Sequence, residues 1–158
     1  MTAPRNRRRL RVVSGGQTGV DRAALDAALD LGFPCGGWCP RGRPAEDGRI
    51  AERYPLQEAE TSDYAERTRL NVLDSDATLI LAPRPLRGGT LLTEQVAFDH
   101  GRPVFVCDPA VEPPEPLLAA IVETPIRTLN VAGPRESGRP GVYAEADAFV
   151  RRLLGRLS

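Results

Sequence analysis

The stretch "VVSGGQTGVD", Val12 to Asp21, sets two glycines, a glutamine and a threonine between an apolar run and the start of a helical pattern. Leu10 to Ser14 has strand character, and Gly15 and Gly16 stop it. From Gly19 to Leu31 the apolar residues Val20, Ala23, Ala24, Ala27, Ala28 and Leu31 recur at helical spacing, with Asp21, Arg22, Asp26 and Asp30 largely on the other face. Thr18 is the expected N-cap, with Asp21 as a short-armed capping-box partner, and Gly32 is the expected C-terminal stop. Strand, glycine loop and helix form the first half of a βαβ unit. Ser14, Gly15, Gly16, Gln17 and Thr18 thus stand where backbone N–H groups and a helix dipole of roughly +0.5 charge can hold an anion, or where the chain simply turns. Asp21 counts against the anion, because a carboxylate in the first turn already answers the dipole.

The alternation continues along the chain. Asp63 to Asp74 reads as a helix, "ATLILA" (Ala77 to Ala82) as a buried parallel strand, and Thr90 to His100 as a helix. "PVFVC" (Pro103 to Cys107) reads as another buried strand, "PPEPLLAAIVET" as a short helix, Arg127 to Gly133 as a strand and Tyr143 to Leu157 as the closing helix. This order predicts an α/β fold: a Rossmann-like open, mainly parallel sheet with helices on both faces, three layers in all. Residues 33 to 62 show little periodicity; a short strand over 33 to 36 and the packing residues Trp38, Tyr54 and Leu56 predict an ordered loop. A basic tail over residues 1–9 and a single ligand-binding domain over residues 10–158 complete the organisation.

Composition narrows the function. The net charge is zero, which gives no electrostatic footprint for nucleic acid. No apolar run is long enough to span a membrane. All 21 basic residues are arginine, so no lysine can form a Schiff base, no PLP can be held that way, and no P-loop lysine exists. Cys35, Cys39 and Cys107 are an odd set, which with the lack of a leader predicts a reducing, cytoplasmic setting. With one histidine, distant in sequence, no structural metal site is expected.

In an open α/β sheet ligands bind beyond the carboxyl ends of the strands. A second glycine loop there, Gly88, Gly89 and Thr90 after Arg87, opens another helix after a buried strand, and two such loops can face one phosphorylated ligand. Helix polarity puts Arg67 on the same edge. "GGWCPRGRPAEDG" (Gly36 to Gly48) offers Trp38 as a stacking face, Arg41 and Arg43 as anion donors, and Glu46 and Asp47 as acids. Arg135 follows another strand end.

Taken together, "SGGQTGVDRAALDAAL", "GGWCPRGRPAEDGRI", "YAERTRLNVLDSDATLIL", "GGT" and "LNVAGPRESGRPGVY" resemble the molybdenum cofactor carrier family, within the wider SLOG group of Rossmann-like folds. The resemblance implies a homo-oligomer, dimer or tetramer, that holds molybdenum cofactor (molybdopterin) as cargo and delivers it to a molybdoenzyme acceptor. It implies Ser14 to Thr18, Gly88 to Thr90, Arg43, Arg67 and Arg135 around the phosphate, Trp38 on the ring and Cys39 toward the metal. The same group contains nucleotide phosphoribohydrolases, whose pattern places Arg67 at their catalytic arginine and Thr68 at their lysine. Their glutamate position falls on Thr93, while Glu94 is one residue late, about 100° around the helix. The alternative expectations are therefore a nucleotide hydrolase using Asp47, Glu46 or Glu94, and a nucleotide-sensing regulator.

Overall fold

The computed structural model describes residues 9–158. The first half of the chain runs β1 (Arg11–Val13), α1 (Val20–Leu31), β2 (Cys35–Gly36), β3 (Trp38–Cys39), β4 (Pro44–Ala45), β5 (Gly48–Arg49), β6 (Gln57–Glu58) and α2 (Tyr64–Leu73). The second half runs β7 (Ala77–Leu81), α3 (Gly88–Asp99), β8 (Val104–Cys107), α4 (Glu115–Glu123), β9 (Thr128–Ala132) and α5 (Val142–Arg156). Five of the strands form an all-parallel sheet in the order β2-β1-β9-β7-β8. The last strand of the chain therefore sits at the centre, with Leu129 in register with Val12 on one side and Ala77 on the other.

The sheet is apolar on both faces, as its parallel pairing requires. Leu79, Leu81, Leu129, Val131 and Val12 pack with α1, α4 and α5 in the main core. In α1 the buried residues facing this core are mostly alanines, which let α5 approach closely and fill the space with Phe149 and Leu153. Alternate residues turn to the other face, where Ile80 and Ala82 pack with Leu86 and the half-buried Val104 and Val106. "PVFVC" was expected to be buried; all four residues of β8 are half-buried, because β8 is an outer strand.

Residues 33 to 62 are ordered, and the reason is Arg43. Its guanidinium donates to the carbonyls of Ile50 at 3.1 Å, Ala51 at 2.7 Å, Tyr54 at 3.0 Å and Leu56 at 3.3 Å. The loop closes over a small core of Leu25, Cys39, Ile50 and Tyr54. Tyr54 Oη and Tyr143 Oη both donate to Asp26, tying the loop to α1 and α5.

The basic tail, apart from Arg9, lies outside the described residues. Arg9 itself donates to the carbonyl of Gly32 at 3.0 Å, at the end of α1 where its charge suits the helix dipole. Among the described residues no helix is long and apolar enough to cross a membrane.

Candidate functional site

A cavity of about 560 Å³ opens at the carboxyl ends of β1, β9 and β7, where the order of the sheet reverses. The segment after β1 contributes Gly15, Gln17 and Asp21. The loop after β7 contributes Ala82 through Thr90, and the loop after β9 contributes Gly133, Pro134, Arg135 and Arg139. Above them α2 presents Arg67 and Asn71. Helix polarity had put Arg67 on this edge, and its side chain is in the wall.

The two glycine loops differ in what surrounds them. Around Gly88 and Gly89 a Cβ would meet nothing within 4 Å, so the backbone at the start of α3 lies open. This helix starts at Gly88, two residues earlier than its apolar pattern suggested, with Arg87 as an N-cap that makes no side-chain cap bond. In the first loop the space beside each glycine belongs to the protein. A Cβ on Gly15 would overlap Arg67, one on Gly16 would stand 2.6 Å from Leu56, and one on Gly19 would overlap the backbone of Pro134 to Glu136.

The start of α1 is closed as well. Val20 N–H donates to the Pro134 carbonyl at 3.2 Å, and the N-cap is Gly19 at φ 78°, not Thr18. Thr18 Oγ1 instead accepts Glu136 N–H at 3.1 Å and donates to Glu46. Glu46 also accepts from the hydroxyl and the N–H of Ser137, so one carboxylate binds three distant segments together. The Ser137 and Thr18 hydroxyls hold its carboxyl below the usual range.

The cavity wall is strongly cationic. Among the described residues five arginines line it: Arg67, Arg84, Arg87, Arg135 and Arg139. Arg84 is paired with Glu94 at 2.8 Å, Arg139 with Glu145 at 3.4 Å, and Arg135 lies 4.0 Å from Glu46. Arg67 donates to the Gly15 carbonyl at 2.8 Å and lies 3.7 Å from Asp21. Among the described residues Asp21 is the only carboxylate in the wall. Burial pushes its carboxyl up from 3.8 to about 6, with Arg67 opposing the rise. Asp21 also accepts Gln17 N–H at 3.3 Å. Gln17 Oε1 accepts two backbone N–H groups, from Thr18 at 3.0 Å and Glu46 at 2.9 Å, while its Nε2 is buried without a partner.

Of the residues expected to bind ligand, Gly15, Gln17, Arg67, Gly88, Gly89, Thr90 and Arg135 line the cavity. The structure places the others elsewhere. Ser14 is buried and donates to the Asp21 carbonyl at 2.8 Å, and the Gly16 carbonyl accepts from Arg22 at 3.1 Å. Arg43 is spent on its own loop. Trp38 donates from its indole to Asp74 at 2.7 Å beside a separate cavity of about 280 Å³, so it offers no stacking face to the main one. Cys39 is wholly buried in the small loop core.

The proposed acids stand outside the cavity too: Glu46 in its three-segment network, Asp47 paired with Arg22 at 2.9 Å, and Glu94 paired with Arg84. Thr93 lines the cavity and Glu94 does not, as the helical rotation between them dictates. Sequence reasoning did not single out Arg84, Arg139 or Asn130. Asn130 carries a readable signal, a polar side chain inside a buried strand, where it donates to Thr78 at 3.3 Å.

Comparison with known proteins adds three findings. The family profile described as "Circularly permutated YpsA SLOG family" matches residues 12–154. A crystal structure of a protein from Syntrophus aciditrophicus SB, named "Putative molybdenum carrier protein", is similar with a TM-score of 0.85 and 44% sequence identity. The match covers 93% of this chain and 96% of that one. No curated protein matches.

Proposed function

The chain belongs to the circularly permutated YpsA SLOG family, and from that premise we propose that it is a carrier holding a phosphorylated small molecule, molybdenum cofactor as cargo, in the arginine-walled cavity. The observation that carries the proposal is the pairing of an open α3 N-terminus at Gly88 and Gly89 with five arginines around one cavity. Backbone N–H groups at a helix start and guanidinium groups are both suited to a phosphate. Arg87, at the N-cap, and the two glycines would hold the phosphate. Arg135 and Arg139, on the loop after β9, face the same space and suit further oxygen atoms of the cargo. The similarity to the Syntrophus protein supports molybdenum cofactor as the first cargo to test.

Holding fits the wall better than cutting. Glu46, Asp47 and Glu94 are each engaged away from the cavity, which leaves Asp21 as its one acid. The homo-oligomer and the molybdoenzyme acceptor belong to the same proposal.

The test is to incubate the purified protein with molybdenum cofactor and, separately, with nucleoside monophosphates, and to analyse retained ligand and products by mass spectrometry. Intact cofactor retained at a fixed ratio per chain is the expected result; a cleaved nucleotide would overturn the carrier reading in favour of a hydrolase. Arg87→Ala should weaken retention by ~1.5–3 kcal/mol, the range for hydrogen bonds to charged groups. An unchanged affinity in that variant would remove the phosphate from the start of α3.

A further inference from the structure

Among the described residues two buried side-chain atoms lack a hydrogen-bond partner, Gln17 Nε2 and Arg139 Nε, and both residues belong to the cavity wall. A buried donor left unpaired costs about 1–3 kcal/mol, so a pair of them in one wall is a place where a bound molecule could supply acceptors. The orientation of the Gln17 amide is fixed by its other end. Oε1 accepts N–H groups from Thr18 at 3.0 Å and Glu46 at 2.9 Å, which fills its two lone pairs. Turning the amide round would set its NH₂ against both of those donors. The unpaired atom is therefore a donor.

The backbone N–H of the same residue meets the only carboxylate that the described residues place in the wall. Asp21 Oδ2 accepts Gln17 N–H at 3.3 Å and lies 3.7 Å from Arg67. A second phosphate at this corner would satisfy Gln17 and be repelled by Asp21. A neutral group with an acceptor next to a donor satisfies both. Ala82, Leu86 and Pro134 give the cavity apolar surface suited to a flat ring.

We infer that Gln17 and Asp21 read the edge of a nitrogen heterocycle in which a ring carbonyl stands beside a ring N–H, the cyclic amide common to guanine and pterin. Gln17 Nε2 donates to the carbonyl and the Asp21 carboxylate accepts the N–H. The inference rests on the proposed reading, in which the α3 end holds the phosphate, and adds the two residues that choose the ring.

The experiment is calorimetric titration of the full chain at neutral pH with guanosine monophosphate, neopterin monophosphate and ribose 5-phosphate. The wild type should bind the ring ligands at least about tenfold more tightly than ribose 5-phosphate, the worth of one good hydrogen bond to a charged group. The tighter of the two identifies the source of the ring. In Gln17→Glu one carboxylate oxygen keeps both backbone N–H bonds, while the other puts an acceptor where the donor was. The preference for the ring ligands over ribose 5-phosphate should then disappear, while the added buried carboxylate near Asp21 lowers the melting temperature. Asp21→Asn should produce the same loss from the other side of the edge, and it decides the matter should Gln17→Glu fail to fold.

Ring ligands that bind these variants as tightly as the wild type would overturn the inference. A contact to a ligand hydroxyl would give that result, because a hydroxyl can donate to the new carboxylate. Ribose 5-phosphate and inorganic phosphate that both fail to bind the wild type would instead overturn the phosphate reading beneath it.

Discussion

In the loop after β1 the missing side chains of Gly15, Gly16 and Gly19 leave room for Arg67, for Leu56 with Ile50, and for the backbone of Pro134 to Glu136. In the loop after β7 the space beside Gly88 and Gly89 is filled by none of the described residues. Both are glycine-rich junctions between a strand and a helix on one sheet edge. The first uses its glycines to let the chain pack against itself, so it shapes the cavity through Gln17 and Asp21. The second keeps a helix start open, which is what a phosphate needs. Glycine at such a junction therefore has two causes, and what fills the Cβ position separates them.

The comparison can be broken most forcefully at Gly19. Alanine there combines a positive φ with overlap on backbone that has no freedom to move, so Gly19→Ala should cost about 3 kcal/mol or more in urea unfolding. A loss below about 1 kcal/mol would mean that the first loop is looser than described.

Asp21 gives the next largest effect, and its sign is opposite. Its carboxyl titrates near 6 in the folded chain against 3.8 ordinarily. Between those values the folded state holds the proton that the unfolded chain has released, so stability falls as pH rises through this window. Below it both states are protonated and the penalty vanishes. Asp21→Asn should therefore stabilise the protein by up to about 3 kcal/mol above pH ~7, with the gain fading below pH ~4. A gain that does not change with pH would show that burial of the charge is not its cause.

Gly89→Ala sharpens the contrast with the smallest change in stability. With open space around it and a helical position, it should alter unfolding by no more than about 0.5–1 kcal/mol, in the stabilising direction. Phosphate affinity should nevertheless drop, because the added methyl occupies the approach to the helix start. Unaltered affinity would place the ligand elsewhere in the cavity.

Much of this was readable from local pattern. The alanine spacing of α1, the continuous apolar run of β7 and the polarity that carries Arg67 to the ligand edge are each set within a few residues of chain. The failures came where the outcome depends on distant partners. Trp38 and Arg43 have the chemistry of a ring stacker and an anion donor, yet Asp74 and four carbonyls of an aperiodic loop use that chemistry instead. Thr18 looks like a cap until a carbonyl from Pro134, more than a hundred residues away, takes the N–H of Val20. Asp21 looks unsuited to an anion site, and the structure nevertheless sets it in the cavity wall, accepting the Gln17 N–H.

The central place of β9 also governs when the cavity can form. β1 with β2, and β7 with β8, are two-stranded pieces that share no strand until Thr128–Ala132 is inserted between them. Two-stranded pieces are marginal alone, and pairing across such sequence separations comes late in folding. The sheet therefore closes only when β9 joins the two pieces. The cavity wall is completed by the loop that follows β9, so the cavity takes shape only once that strand has been inserted.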